Sequence, residues 1–459
     1  MAAALTPFVS EGADKFDRRR AAHLLRRAGF APTHGEVEQA VKDGLEAAVD
    51  RLFTEDEGED ARYSQTLDAL AGKFINLGDL GNAQAWWVYR MLTTQVPLRE
   101  KLALFWHGHF ATSQSKVENT DLMLRQIEML RRGAWGSFGQ LVASIARDPA
   151  MLIWLDGRTN TREHPNENFA RELMELFTCG IGHYTERDVL EAARALTGWT
   201  LDGAVAVLNA DEQDHGRKHF LGRSGRFDAD DVIDLLMQHS PTAEFLARKL
   251  LRFFAEPEPQ LEVVAEVAQT LVRSQFNVKW LLRDLFQSKY FYSDRCIRKR
   301  IASPIEFAVG AVRMLEAQIP ALHLIESLER MGQKLLAPPN VKGWDGESAW
   351  IDTSTWAARQ QFASMLAAES DTNPLGPVFD PFRLVPQEML EPRAVVKRLG
   401  DVLMQGDLPA EARRGLTSFL IETDAGPQPD AFRDDADFRM QKIREAIAVV
   451  ISLPEFHAW

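Results

Sequence analysis

Residues Asp156 to Trp199 read DGRTNTREHPNENFARELMELFTCGIGHYTERDVLEAARALTGW, and this stretch decides the fold. A polar, Asn-rich loop runs into a helix, a Gly-broken turn follows, and a second helix ends at Trp199. Phe169, Leu173, Leu176 and Phe177 fall at i, i+4, i+7 and i+8, which is one buried helical stripe. Glu167, Arg171 and Glu175 follow one another at spacings of four, so Arg171 can bridge two carboxylates. Glu172 and Glu175 stand three apart and can share one ligand. The loop adds His164 and Asn166. We therefore take His164, Glu167, Arg171, Glu172 and Glu175 as catalytic candidates, with Asn166 and Asn168 as substrate-binding ones. Two readings stay open. The charges form a surface ion-pair ladder, or they aim inward at a shared site. Carboxylate pairs on bundle helices build di-metal centres, but those usually carry Glu-x-x-His, and this helix has none.

Upstream, Pro97 opens the helix LREKLALFWHGHFATS, apolar on nearly every side after Glu100, as a buried helix is. It contains His107 and His109. On a helix, positions i and i+2 lie about 200° apart, so both can bind one metal only if the segment breaks at Gly108. A divalent metal ion held by His107, His109 and Glu172 is the cofactor expectation, beside hydrogen-bonded core roles for both histidines.

Downstream, WTLDGAVAVLN and KHFLGRSGRFD place Asp-Gly and Ser-Gly between β-prone runs, which predicts small hairpins. Between them, His215 and His219 stand four apart, a metal-pair spacing on a helix that the Gly and strand-like flanks argue against, while Asp214 with His215 suits a loop acid/base pair; His215 joins the catalytic candidates. The loop PPNVKGWDGESAW gathers Lys342, Trp344, Asp345, Glu347 and Trp350. Lys342, Trp344 and Trp350 suit stacking on a sugar or another flat polar ligand; the alternative is a loop pinned by buried tryptophans.

Other helices announce themselves by their ends. Thr33 with Glu36, and Ser303-Pro304-Ile305-Glu306, read as capping boxes. Asn82 and Asn277 read as caps, and Gly29 as a stop. The acidic run Thr54 to Asp60 reads as a solvent loop. The expected architecture is mainly α: a multi-helix globular array with a small β-hairpin insertion. Its segments are a helical lobe with the central polar motif over 1–198, the hairpin insertion over 199–227, a second helical lobe with the Trp-rich loop over 228–370, a proline-rich linker-like segment over 371–392, and C-terminal helices over 393–459.

The 459 residues are ample for a sizeable core. The formal net charge of -13 argues against a nucleic-acid-binding body. Two cysteines cannot make a disulfide framework and form no zinc pattern. No apolar run approaches the roughly 20 residues of a membrane span. No signal peptide is read at the N-terminus, so the expected location is cytoplasmic as the chain stands, or periplasmic if a signal has been removed. There is no Gly-x-Ser-x-Gly elbow, Walker A loop, GxGxxG after a strand, or His-Glu-x-x-His, which disfavours those chemistries.

Several blocks together resemble the bacterial family called domain of unknown function 1800. They are HLLRRAGFAPT, FWHGHFATS, the HPNENFARELMELFTCGIGHYTERDVLEAARALTGW run, DHGRKHFLGRSGRFD, LARKLLRFF and MGQKLLAPPNVKGWDGESAWIDTSTW. They keep that family's order and span about Ala21 to Ala358. The resemblance implies no established activity. Many members resemble exported proteins with a twin-arginine signal, which this chain does not show. Members are often encoded beside a second family that looks like sulfatases and alkaline phosphatases, so a sulfatase- or phosphatase-like partner is implied. Where members usually show His-Asp, this chain has Asp214-His215. Two functional expectations result. One is a hydrolytic or oxidative enzyme, metal-assisted or acid/base, with the segments around His107, His164, Glu172, His215 and Trp344 meeting in one cleft. The other is a non-catalytic helical scaffold that assists maturation or export of another protein.

Overall fold

The computed structural model describes residues 5–10, 15–54, 58–70, 78–368, 378–423 and 425–459. The protein is mainly helical, and among the described residues its short strands pair as hairpins. Trp199–Asp202 pairs antiparallel with Val205–Leu208, and Lys218–Phe220 with Arg223–Gly225. A further two-residue pair joins Glu422–Thr423 to Gly426–Pro427.

Local chemistry sets most helix ends. Thr33 and Glu36 close a reciprocal capping box at His34–Asp43, and Ser303 and Glu306 do the same at Pro304–Met314. Asn277 caps Val278–Phe286 as expected. The expected cap Asn82 is instead inside its helix, Leu80–Thr93. Asp79 is the cap, its carboxylate accepting from the Asn82 amide at 3.0 Å. A capping oxygen stands two or three residues before the N–H that it binds, and at this end Asp79 holds that place.

One continuous core runs from Phe16 to Trp459. The Pro97–His109 helix lies at its centre. Leu98, Leu102, Ala103 and Trp106 are fully buried, and so are Glu100 and Lys101. Buried charges on so apolar a helix need partners. Arg131 donates to Glu100 at 2.5 Å. Lys101 and Arg300 both pair with Glu306, and Lys101 also donates to the Gly29 carbonyl at 2.9 Å. Burial alone would raise the Glu306 carboxyl, but Arg300 and Lys101 hold it down to about 2. This cluster ties the end of the helix Arg18–Ala28, the central helix and Pro304–Met314 at one point.

Of the 371–392 segment, 371–377 lie outside the described residues. In the remainder Val378 pairs with Gln318, a short helix spans Pro381–Leu384, and Phe379, Leu384 and Val385 are buried. In the acidic run Thr54 to Asp60, residues 55–57 likewise lie outside the described ones, and a helix begins at Glu59.

Candidate functional site

The Asp156–Asn168 loop is held by its own amides. Asn160 donates to the Ala193 carbonyl at 2.8 Å and accepts from the Asn166 amide at 2.8 Å. Asn166 caps the helix Glu167–Glu172, and Asn168 donates to Asp156 at 3.2 Å. The contacts of Asn166 and Asn168 thus organise this loop. The stripe residues Phe169, Leu173 and Phe177 are buried as the periodicity requires.

The helix then widens. Leu173–Thr178 is a π-helical turn, an uncommon form that often marks functional positions. It closes with the amides of Cys179 and Gly180 both on the Met174 carbonyl. The carbonyls of Leu176 and Phe177 then face side chains from other helices. The N–H of His109 at Nε2 donates to the Phe177 carbonyl at 3.0 Å, and Lys249 Nζ donates to that of Leu176 at 3.1 Å. Donors at a helix C-terminus meet its orphan carbonyls and its negative dipole end.

With Nε2 carrying its proton, His109 has Nδ1 as acceptor, and Lys249 Nζ stands 3.1 Å from it. Lys249 belongs to the helix Ser240–Phe254. Although half-buried as a whole residue, it brings its amine beside the buried His109 ring and over the Phe245 ring, 4.9 Å from the centroid. Burial, reinforced by Arg252 and Lys342, lowers the Lys249 amine to about 7. Burial, then Lys249, pushes the His109 imidazole well below its ordinary value. Among the described residues no carboxylate pairs with Lys249 or with its neighbour Arg252.

Both residues line a cavity of about 190 Å³, which His109, Lys342, Trp344, Asp345, Glu347 and Trp350 also line. The 342–350 loop reaches the central helix by a close backbone approach. Gly343 has φ +85°, and a Cβ there would strike the Gly108 carbonyl. Only glycine fits such a position. Lys342 pairs with Asp345 at 2.5 Å, and Glu347 accepts from the Ile301 amide at 3.1 Å.

His107 lies deeper. Its Nε2 accepts from the Leu336 amide at 3.1 Å, and its ring stands edge-on to Trp87 and Trp344. Burial lowers it to about 3, so it is neutral. His107 thus pins the start of the Trp-rich loop, while His109 faces Lys249. The helix is unbroken through Gly108, so the two rings do not converge. Among the described residues no group of three or more His, Cys, Asp or Glu stands together as a ligand set.

The structure therefore brings His109, Lys342, Trp344 and Trp350 together but does not place His164, Glu167, Arg171, Glu172, Glu175 or His215 in that cavity lining. Arg171 pairs with Glu167 at 3.2 Å as the spacing allows, but its second carboxylate is Glu186 at 2.7 Å, from the next helix, and not Glu175. Glu175 accepts from the Tyr184 hydroxyl at 3.0 Å. Glu172 is half-buried, and burial, then Glu175, raises its carboxyl. His164 and His215 are exposed. Asp214 is held by Arg194 at 2.7 Å, and His219 by Ser224 at 2.7 Å within the second hairpin.

Sequence reasoning missed Lys249 and Arg252. A signal was present in Phe245, Lys249 and Phe253, spaced by four, where one lysine interrupts a row of aromatic rings.

No helix among the described residues is long and apolar enough to cross a membrane. No curated protein and no solved structure matches the chain. One family model matches residues 23–458, almost the whole length, and covers every element of the cavity. The chain belongs to the family described as Protein of unknown function (DUF1800).

Proposed function

We propose that the protein is an acid/base enzyme acting on a small anionic ligand in the cavity between the Pro97–His109 helix, the Ser240–Phe254 helix and the 342–350 loop. The observation that carries this reading is the Lys249 amine, set in the cavity wall against His109 Nδ1 with no carboxylate partner among the described residues. An amine near 7 exchanges a proton readily at neutral pH. Perturbed titratable groups in a cleft are functional candidates. Arg252 supplies a cation for the anionic group, and Trp344 and Trp350 supply the ring faces.

The test is saturation-transfer NMR with glycolate as a minimal anion. Saturable binding to the wild-type protein, lost in Arg252→Gln and in Trp344→Ala, is expected. Binding that survives both substitutions, or no binding to well-folded wild type, overturns the reading.

A second reading rests on the first hairpin, where Val205 and Val207 share one face and are 58% and 37% exposed. Paired outward valines suit a protein partner, and the sulfatase- or phosphatase-like neighbour is the one to try. Co-purification lost in a Val205→Asp, Val207→Asp double variant, with glycolate binding intact, would support this role. Co-purification unchanged by the double variant would remove it.

A further inference from the structure

We infer that Lys249 is a nucleophile that condenses with the carbonyl group of a small aldehyde or ketone bearing a carboxylate or phosphate. This inference rests on the cavity reading above and adds the bond that forms. A neutral primary amine has two N–H bonds and one lone pair. Here two acceptors meet Nζ at 3.1 Å each, Nδ1 of His109 and the carbonyl of Leu176. They take up both N–H bonds and leave the lone pair without a partner among the described residues. Nδ1 can only accept, because His109 Nε2 donates to the Phe177 carbonyl. The π-helical turn supplies both of those carbonyls, so the uncommon backbone there has a role: it orients the amine.

The electrostatics agree with that assignment. A lysine kept beside a carboxylate would stay an ammonium and be inert. Lys249 has instead Arg252 one turn along its own helix and Lys342 across the cavity, with Phe245 beneath the amine. Desolvation next to other cations is the general means of activating a lysine toward carbonyls. Arg252 is placed to hold the anionic end of the same molecule.

The step balances without an oxidant or a metal. The Nζ lone pair adds to the carbonyl carbon, and the C=O π-bond opens onto oxygen. One N–H proton passes to that oxygen, giving a carbinolamine. The second N–H proton leaves with the oxygen as water, and the C=N bond forms. His109 is a positioning residue in this scheme, fixing the direction of the amine through Nδ1.

The experiment treats the folded full chain at neutral pH with glyoxylate and sodium cyanoborohydride, which reduces any imine to a stable secondary amine. Peptide mapping then locates the carboxymethyl groups. Lys249 is expected to be labelled on the order of tenfold or more faster than the exposed lysines, since far more of it is free amine, while Lys101, also brought down to about 7, is fully buried against Glu306 and out of reach of the reagent. Arg252→Gln is expected to slow labelling at Lys249 several-fold while surface lysines keep their rate. His109→Leu, which has no acceptor, is expected to slow it too, and restoring an acceptor with His109→Asn to recover part of the rate. Labelling spread evenly over the lysines overturns the inference. Glycolate binding with no preferred adduct at Lys249 overturns the nucleophile alone. Loss of both glycolate binding and the adduct in folded wild type overturns the cavity reading with it.

Discussion

Lys249 Nζ stands 3.1 Å from Nδ1 of His109, although 140 residues separate them in the chain. In the contact a neutral imidazole accepts from an amine that burial, with Arg252 and Lys342, has brought down to about 7. Folded, Lys249 takes up its proton only below about 7, whereas the unfolded chain holds that proton up to its ordinary 10.5. Between those values the unfolded state binds more protons, so this residue makes stability rise as pH climbs from about 7 toward 10.5. Denaturant unfolding at several pH values should show that rise in wild type and a flatter profile in Lys249→Met. Equal slopes in the two proteins would mean that Lys249 titrates as an ordinary lysine.

Gly343→Ala should loosen the cavity. The substitution forces a side chain into a left-handed backbone position and against the Gly108 carbonyl. A cost of about 2 kcal/mol or more is expected. Glycolate affinity should fall with it, because Trp344 follows directly in the chain. Thermal unfolding and the NMR titration read the two effects separately, and an unchanged affinity would detach the loop from the site.

Glu306→Gln should be among the most damaging substitutions in the protein. Glu306 is fully buried, and Lys101 and Arg300 both rely on it. Removing one partner of a buried ion group leaves uncompensated charge and costs about 3–5 kcal/mol. The carboxylate is held down to about 2, so its stabilisation persists across the neutral range and is lost only as pH falls toward that value. Chemical denaturation of the variant measures the loss directly.

Arg171→Gln should leave the unfolding midpoint and glycolate binding unchanged. Its ion pairs with Glu167 and Glu186 are solvent-facing, and such pairs contribute little. A marked loss of binding in this variant would place the central polar motif in the site after all.

The local grammar of the fold was legible where a residue acts on its own neighbours. The capping boxes Thr33–Glu36 and Ser303–Glu306 need partners only three residues away. The stripe Phe169, Leu173 and Phe177 follows from helical period alone, and the hairpins follow from Asp-Gly and Ser-Gly between β-prone runs. Even here reach was limited. Asp79 rather than Asn82 caps its helix, and nothing in the periodicity announces that Leu173–Thr178 widens to a π-helical turn.

The site divides in the same way. By itself the sequence determined that a mainly helical chain carries His107 and His109 on a buried helix and a tryptophan-rich loop after Leu335. Which histidine meets which group was decided only by tertiary structure. A buried imidazole takes its role from its acceptors and donors, and these come from Leu336, Phe177 and Lys249, far away in the chain. The dense charges of Glu167, Arg171 and Glu175 are conspicuous in the sequence because sequence displays charge but not burial. Lys249 shows the converse: its amine is lowered by burial, which one lysine among phenylalanines does not display in the sequence.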